Sequence, residues 1–432
     1  MLGLFLTIFS SLFLLFVLFI NVEFFFILNL ICTAIFSAMR LDPTTSGINV
    51  FGISVYMEDI FFISQIIFIT IFIFKQFFEN ENFIFTNYHK ISIAIFFLIA
   101  FKILISFINF GTSAVVSGRS FLYFFSNILF FSVYKLPENR IYKIYKGIFY
   151  VSFLYIIIGL LRMVEILPGI YSNWLDINNF TNNFTEYRYF EKPDLEVLLI
   201  GSFFSISHLI INKLKLFSSY SITFIFQGLL IIFSNTRSIV GIFLLLSSLG
   251  FLRQSFFNKK IILPLLFLIP FLFFFLISFL GEAYSFDNLL GENSTLIFRG
   301  IVNIAYIAYM NQGSYIYGMN FGDEPIVFPE VYYITYMGGM VGLHNAYVEL
   351  MYYIGLPFLI FILKLTYDLL KRLYNLMIDN KESFVINISF ISITSCLILF
   401  LAWPFGQFSG LIFGLSIASV RSFEKKLVGI KK

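Results

Sequence analysis

The chain is short of the residues that soluble proteins rely on. Of its 432 residues only 12% are charged, three are histidine, two are tryptophan and two are cysteine. A soluble chain of this length needs roughly a quarter charged residues to cover its surface, so a freely soluble globule is excluded. Cys32 and Cys396 both lie inside apolar runs, which argues against a disulfide framework or a cysteine-rich metal site. No Asp-x-Asp pair occurs anywhere, so the sequence offers no paired-carboxylate seat for a metal–phosphate complex. There is no internal repeat and no low-complexity linker, and residues 1–432 read as a single membrane domain.

Apolar sequence dominates. Hydrophobic residues make up 59% of the chain, and 63 residues are phenylalanine, read as lipid-facing bulk. Crossing about 30 Å of hydrocarbon takes about twenty apolar residues in a helix. Runs that meet or approach this lie near 2–20, 24–39, 55–74, 91–110, 120–134, 148–166, 194–212, 217–234, 238–252, 261–280, 344–363, 384–401 and 408–420. The expectation is an all-α polytopic membrane protein with about 12 transmembrane helices. The first run lacks a charged leader and a small-residue cleavage site, so it reads as a retained span.

Loop charges give the orientation. Lys135, Arg140, Lys143 and Lys146 share one loop, Lys213 and Lys215 another, Arg253, Lys259 and Lys260 a third, and Lys364, Lys371, Arg372 and Lys381 a fourth. Cation-rich loops stay on the cytoplasmic side. The net charge of +4 is therefore a signal of topology and not of nucleic-acid binding. On the opposite side falls one long polar segment, residues 281–343, expected to be a large periplasmic loop. Within it Ser294 is placed to cap a helix near 294–310, with Leu296, Ile297, Gly300, Ile301, Ile304, Ala305 and Ala308 as its apolar stripe. Asn320 and Asp323 stand among glycines in a turn, Tyr317-Gly318-Met319-Asn320-Phe321-Gly322-Asp323.

Two residue types on that side carry chemistry. Arg119, Arg162, Arg188, Arg237 and Arg299 are all arginine, whose planar fork suits bidentate contacts to phosphate, although an interfacial arginine also snorkels to lipid headgroups. Arg237 stands in a short turn between two spans. Of the three histidines, His89 reads as an inner-side loop residue and His208 lies near the inner end of a span, which leaves His344. A histidine titrates near neutral pH and suits general-base work, whereas the bland alternative is a local helix cap. Lys102, inside a span, is expected to face the bundle or a cavity.

Thr236-Arg237-Ser238-Ile239-Val240-Gly241, then Ser294-Thr295-Leu296-Ile297-Phe298-Arg299 leading to Tyr317-Gly318-Met319-Asn320-Phe321-Gly322, then His344-Asn345-Ala346-Tyr347-Val348-Glu349-Leu350 through Gly355-Leu356-Pro357, resemble the bacterial O-antigen polymerase and ligase superfamily. The resemblance covers residues 230–360. Two positions depart from it: Ile304-Ala305-Tyr306 where an aromatic often stands, and a turn at 317–320 less glycine-rich than usual.

The resemblance implies a GT-C-like fold in the bacterial inner membrane, with the active site facing the periplasm. It implies a glycosyltransferase that needs no cofactor and no metal and moves a glycan from undecaprenyl diphosphate to an acceptor. A polymerase would extend the chain onto a new lipid-linked repeat unit, and a ligase would attach it to lipid A core. On this reading His344 is catalytic and Arg237 and Arg299 hold the diphosphate. Asn345, Glu349, Asn320 and Asp323 support them, and Asp323 and Glu324 are the next candidates for the base. The partners are the undecaprenyl-diphosphate-linked oligosaccharide, membrane lipids and a chain-length regulator, with no nucleic acid. A flippase for lipid-linked oligosaccharides is the alternative of another class, but two related halves and cations inside the spans would be expected of it.

Overall fold

The structure, a computed structural model, describes residues 2–39, 48–50, 53–79, 87–164, 166–167, 170–175, 183–188, 192–212, 218–233, 237–252, 294–325, 343, 345–380, 383–401 and 404–430. Helices dominate these residues. In chain order they are α1 (Leu2–Ile20), α2 (Val22–Met39), α3 (Met57–Glu79), α4 (Asn87–Phe110), α5 (Thr112–Val133), α6 (Glu138–Met163), α7 (Lys192–Asn212), α8 (Ser219–Phe233), α9 (Arg237–Leu252), α10 (Ser294–Tyr309), the one-turn α11 (Ser314–Tyr317), α12 (Ala346–Ile354), α13 (Leu356–Asp379), α14 (Phe384–Leu399) and α15 (Gln407–Ile430). Two antiparallel ribbons add to the all-α expectation: β1 (Ile48–Val50) with β2 (Ile53–Val55), and β3 (Ile170–Leu175) with β4 (Asn183–Arg188). In the second, Ile170 pairs with Arg188 and Leu175 with Asn183.

Four helical stretches are long and apolar enough to cross a membrane: Met57–Phe78, Tyr88–Phe110, Thr112–Val133 and Glu138–Met163. Five further apolar helices are shorter, among them Leu195–Leu209 and Phe384–Leu399. Large apolar side chains such as Phe16, Phe78, Phe97, Phe101 and Ile108 stand fully on the outside. Water would penalise that arrangement and hydrocarbon does not. The protein is a helical membrane protein.

Helix α5 is the axis of the bundle. Gly111, with φ 58°, is the single residue between α4 and α5 and reverses the chain, so that Ile103 packs on Gly118. Gly410 and Gly414 of α15 bring its backbone against Phe124 and Asn127 of α5, the small-residue contact by which helices associate where no hydrophobic drive exists. Interior polar groups are matched across helices. Gln65 donates to Asn127 (3.2 Å), Ser126 donates to Gln65 (3.2 Å), and Ser389 and Ser419 share a bond of 2.8 Å.

The structure corrects three expectations. The run 344–363 is not one span: Gly355, at φ 104°, splits it into α12 and α13, and α13 continues to Asp379. His89 lies in the first turn of α4, buried, and not in a loop. In α10 the buried residues are Val302, Asn303 and Tyr306, whereas Ala308 of the expected stripe is exposed. That helix is turned by its tyrosine, whose ring packs edge-on against Tyr352 at 4.8 Å.

Candidate functional site

The turn after α11 and the helix α12 are built on each other. Met319 N–H donates to the Tyr352 carbonyl (2.5 Å), and the Gly318 backbone presses so closely on Tyr353 that a Cβ there would overlap its carbonyl. Gly355 meets the Ile316 carbonyl in the same way. Both glycines have positive φ, 73° and 104°, so at each the conformation and the space exclude a side chain. Phe321 completes the joint: its ring stacks on Tyr353 (4.6 Å, 15°) and its N–H donates to Ser106 Oγ (2.9 Å).

Around this joint hydroxyls converge on carboxylates. Glu324 accepts from Ser117 (2.7 Å) and Tyr353 (2.7 Å) through Oε1, and from Tyr306 (3.4 Å) through Oε2. Asp323 accepts from Tyr309 at its side chain (3.3 Å) and from Tyr352 at its backbone carbonyl (2.6 Å). Burial, and then the Glu324 charge, pushes the Tyr306 phenol well up, and the Asp323 carboxylate does the same to Tyr309. Both phenols therefore keep their protons and act as donors. Asn320, half-buried, sits in the same turn.

Asn345 and Glu349 lie on the other side of the joint. Asn345 is the N-cap of α12, its Oδ1 accepting from Tyr347 N–H (3.0 Å) and Val348 N–H (3.2 Å). The end of α12 is also pinned by Ala346 N–H to the Phe400 carbonyl (2.9 Å). Glu349 is buried, with Phe405 N–H donating to its Oε2 (3.4 Å). Asn320, Asp323, Asn345 and Glu349 are thus brought to one end of the bundle through the 318–324 turn and α12. Arg237 begins α9 and Arg299 lies within α10, but their side chains, and His344 altogether, fall outside the described residues.

Other cations are accounted for. Arg119 lies 3.6 Å from Asp59 and 4.7 Å from the Tyr56 ring centroid, and Tyr123 donates to the same Asp59 (2.5 Å). Arg162 is wholly buried. Lys102 donates to the Tyr317 carbonyl, which ties the span to α11. Sequence reasoning missed Ser117, Tyr306 and Tyr353 as partners of Glu324. The only available signal was the run of tyrosines at 352 and 353 one helical turn beyond Glu349.

No model of a known protein family matches the chain, and no curated protein matches it at a significant level. Fold and site together define a helical membrane protein with a tyrosine–carboxylate cluster at one end of its bundle.

Proposed function

We propose that the chain is a membrane glycosyltransferase of the polysaccharide-polymerase type, acting on undecaprenyl-diphosphate-linked repeat units at the periplasmic face of the inner membrane. The observation that carries this reading is the joint between the 318–324 turn and α12. The two segments belong to separate parts of the sequence that bear the superfamily resemblance, and they meet backbone to backbone, each through a glycine that no other residue could replace. Hydroxyl and carboxylate groups beside it are the kind that recognise sugars.

In the proposed reaction His344 takes the proton from the acceptor hydroxyl as its oxygen attacks the anomeric carbon of the donor glycan. The bond from that carbon to the diphosphate oxygen breaks, the configuration inverts, and the electron pair leaves with undecaprenyl diphosphate. Arg237 and Arg299 spread the charge that develops on the leaving group, a task an ion would otherwise perform. Glu324, already engaged by three hydroxyls, serves as a scaffold for the sugar side and not as the base.

Loss of the gene separates the polymerase from the ligase. A polymerase deletion leaves lipid A core bearing single repeat units, resolved on a gel of extracted lipopolysaccharide. A core with no repeat, together with polymer held on undecaprenyl diphosphate, would assign ligase activity instead. Normal polymer on normal core would contradict both.

A further inference from the structure

A cavity of about 950 Å³ opens between α4, α5, α13 and α15, on the far side of α12 from the Glu324 cluster. Its body is apolar, walled by residues such as Ile95, Ile128, Leu363 and Ile417. Its charges are gathered at one end, where Lys135 follows α5, Arg372 stands on α13 and Arg421 on α15, against one carboxylate, Asp368. Along α13 the cavity runs from Leu359 to Arg372, which at 1.5 Å per residue is about 20 Å, more than half of the roughly 30 Å hydrocarbon core.

The guanidinium groups are held in place. Arg372 donates to Tyr88 Oη (2.7 Å) with its Cζ 5.5 Å from that ring's centroid. Arg421 donates to the Phe131 carbonyl (3.1 Å) and lies 3.1 Å from His89 Nε2. A small anion would have no use for the long apolar body, and a neutral apolar molecule none for the cationic end. Basic pockets between membrane helices suit phosphate headgroups.

We propose that this cavity is a binding site for an anionic glycerophospholipid, its phosphate between Lys135, Arg372 and Arg421 and an acyl chain along Ile128 and Leu363 towards Tyr347. The site is separate from the glycosyl-transfer reading and stands or falls without it. Purified full-length protein in neutral detergent is titrated with dioleoyl phosphatidylglycerol or dioleoyl phosphatidylcholine, with bound lipid followed by native mass spectrometry and stability by Tm. Phosphatidylglycerol is expected to bind and to raise Tm, as any ligand of the folded state does, and phosphatidylcholine and inorganic phosphate are not.

The Lys135→Gln/Arg372→Gln double variant should bind phosphatidylglycerol about tenfold more weakly, the loss of roughly one charge-assisted contact. Leu363→Trp, filling the apolar body while leaving every charge, should lose the lipid; Ile128→Trp replaces it if that variant does not unfold cooperatively. Equal binding of the two lipids, or full phosphatidylglycerol binding in a folded tryptophan variant, would overturn the site. Displacement of bound phosphatidylglycerol by undecaprenyl phosphate at a lower concentration than by phosphatidylglycerol itself would overturn the class of lipid.

Discussion

His344→Ala is expected to remove polymer formation while leaving the amount of folded protein unchanged. Loss of a general base typically costs about 10² to 10⁴ in rate. The competing role for this residue, capping the helix that follows, is already taken: Asn345 caps α12 with its own side chain, and Ala346 is anchored to Phe400. Helix caps are worth about 1 kcal/mol of stability, so Asn345→Ala should lower Tm modestly, whereas His344→Ala should act on rate. The other histidines are controls. His89 lies 3.1 Å from Arg421, and His208 is stacked between Tyr220 (4.5 Å) and Phe384 (4.3 Å). Replacing either with alanine disturbs packing and should leave turnover per folded molecule near wild type. Complementation of a deletion strain, with surface polymer measured against membrane-protein level, distinguishes these outcomes; more than about a tenth of wild-type polymer from His344→Ala would remove histidine as the base.

The second large effect concerns Arg237 and Arg299. Arg→Lys keeps the charge and loses the planar fork. A hydrogen bond to a charged group is worth about 1.5–3 kcal/mol, so each exchange should slow transfer by about ten- to a hundredfold. Arg119→Lys provides the contrast. That guanidinium is committed to Asp59 and Tyr56, and its replacement should appear as a lower Tm and not as a slower reaction. Wild-type rates in both Arg237→Lys and Arg299→Lys would remove the bidentate contact to diphosphate from the mechanism.

What was legible in the sequence is what depends on neighbouring residues. Hydropathy marked the runs that became α3 to α6, because crossing hydrocarbon requires an unbroken apolar stretch and little else. Glycine marked the turn at 318 and 322, where both residues take positive φ. The same glycine logic was available at Gly355, but hydropathy averages over one residue and the run 344–363 looked continuous. In α10 the periodicity pointed to aliphatic residues, whereas Tyr306 set the buried face through Glu324 and Tyr352. The Glu324 cluster was not legible at all. Its partner Ser117 is 207 residues away, and nothing in a one-dimensional pattern brings a serine in α5 to a glutamate in a loop. Lys102 and Tyr317, 215 residues apart, are the same case.

The central claim is that this chain joins lipid-linked repeat units, and purified protein with undecaprenyl-diphosphate-linked repeat units as the sole substrate tests it most directly. Products separated by length should form a ladder of two or more units, with undecaprenyl diphosphate released once per bond formed, and the ladder should persist in the presence of a chelator. Substrate recovered unlengthened from folded wild-type protein, while the same preparation moves intact repeat units across a vesicle membrane, would contradict the polymerase and leave a flippase.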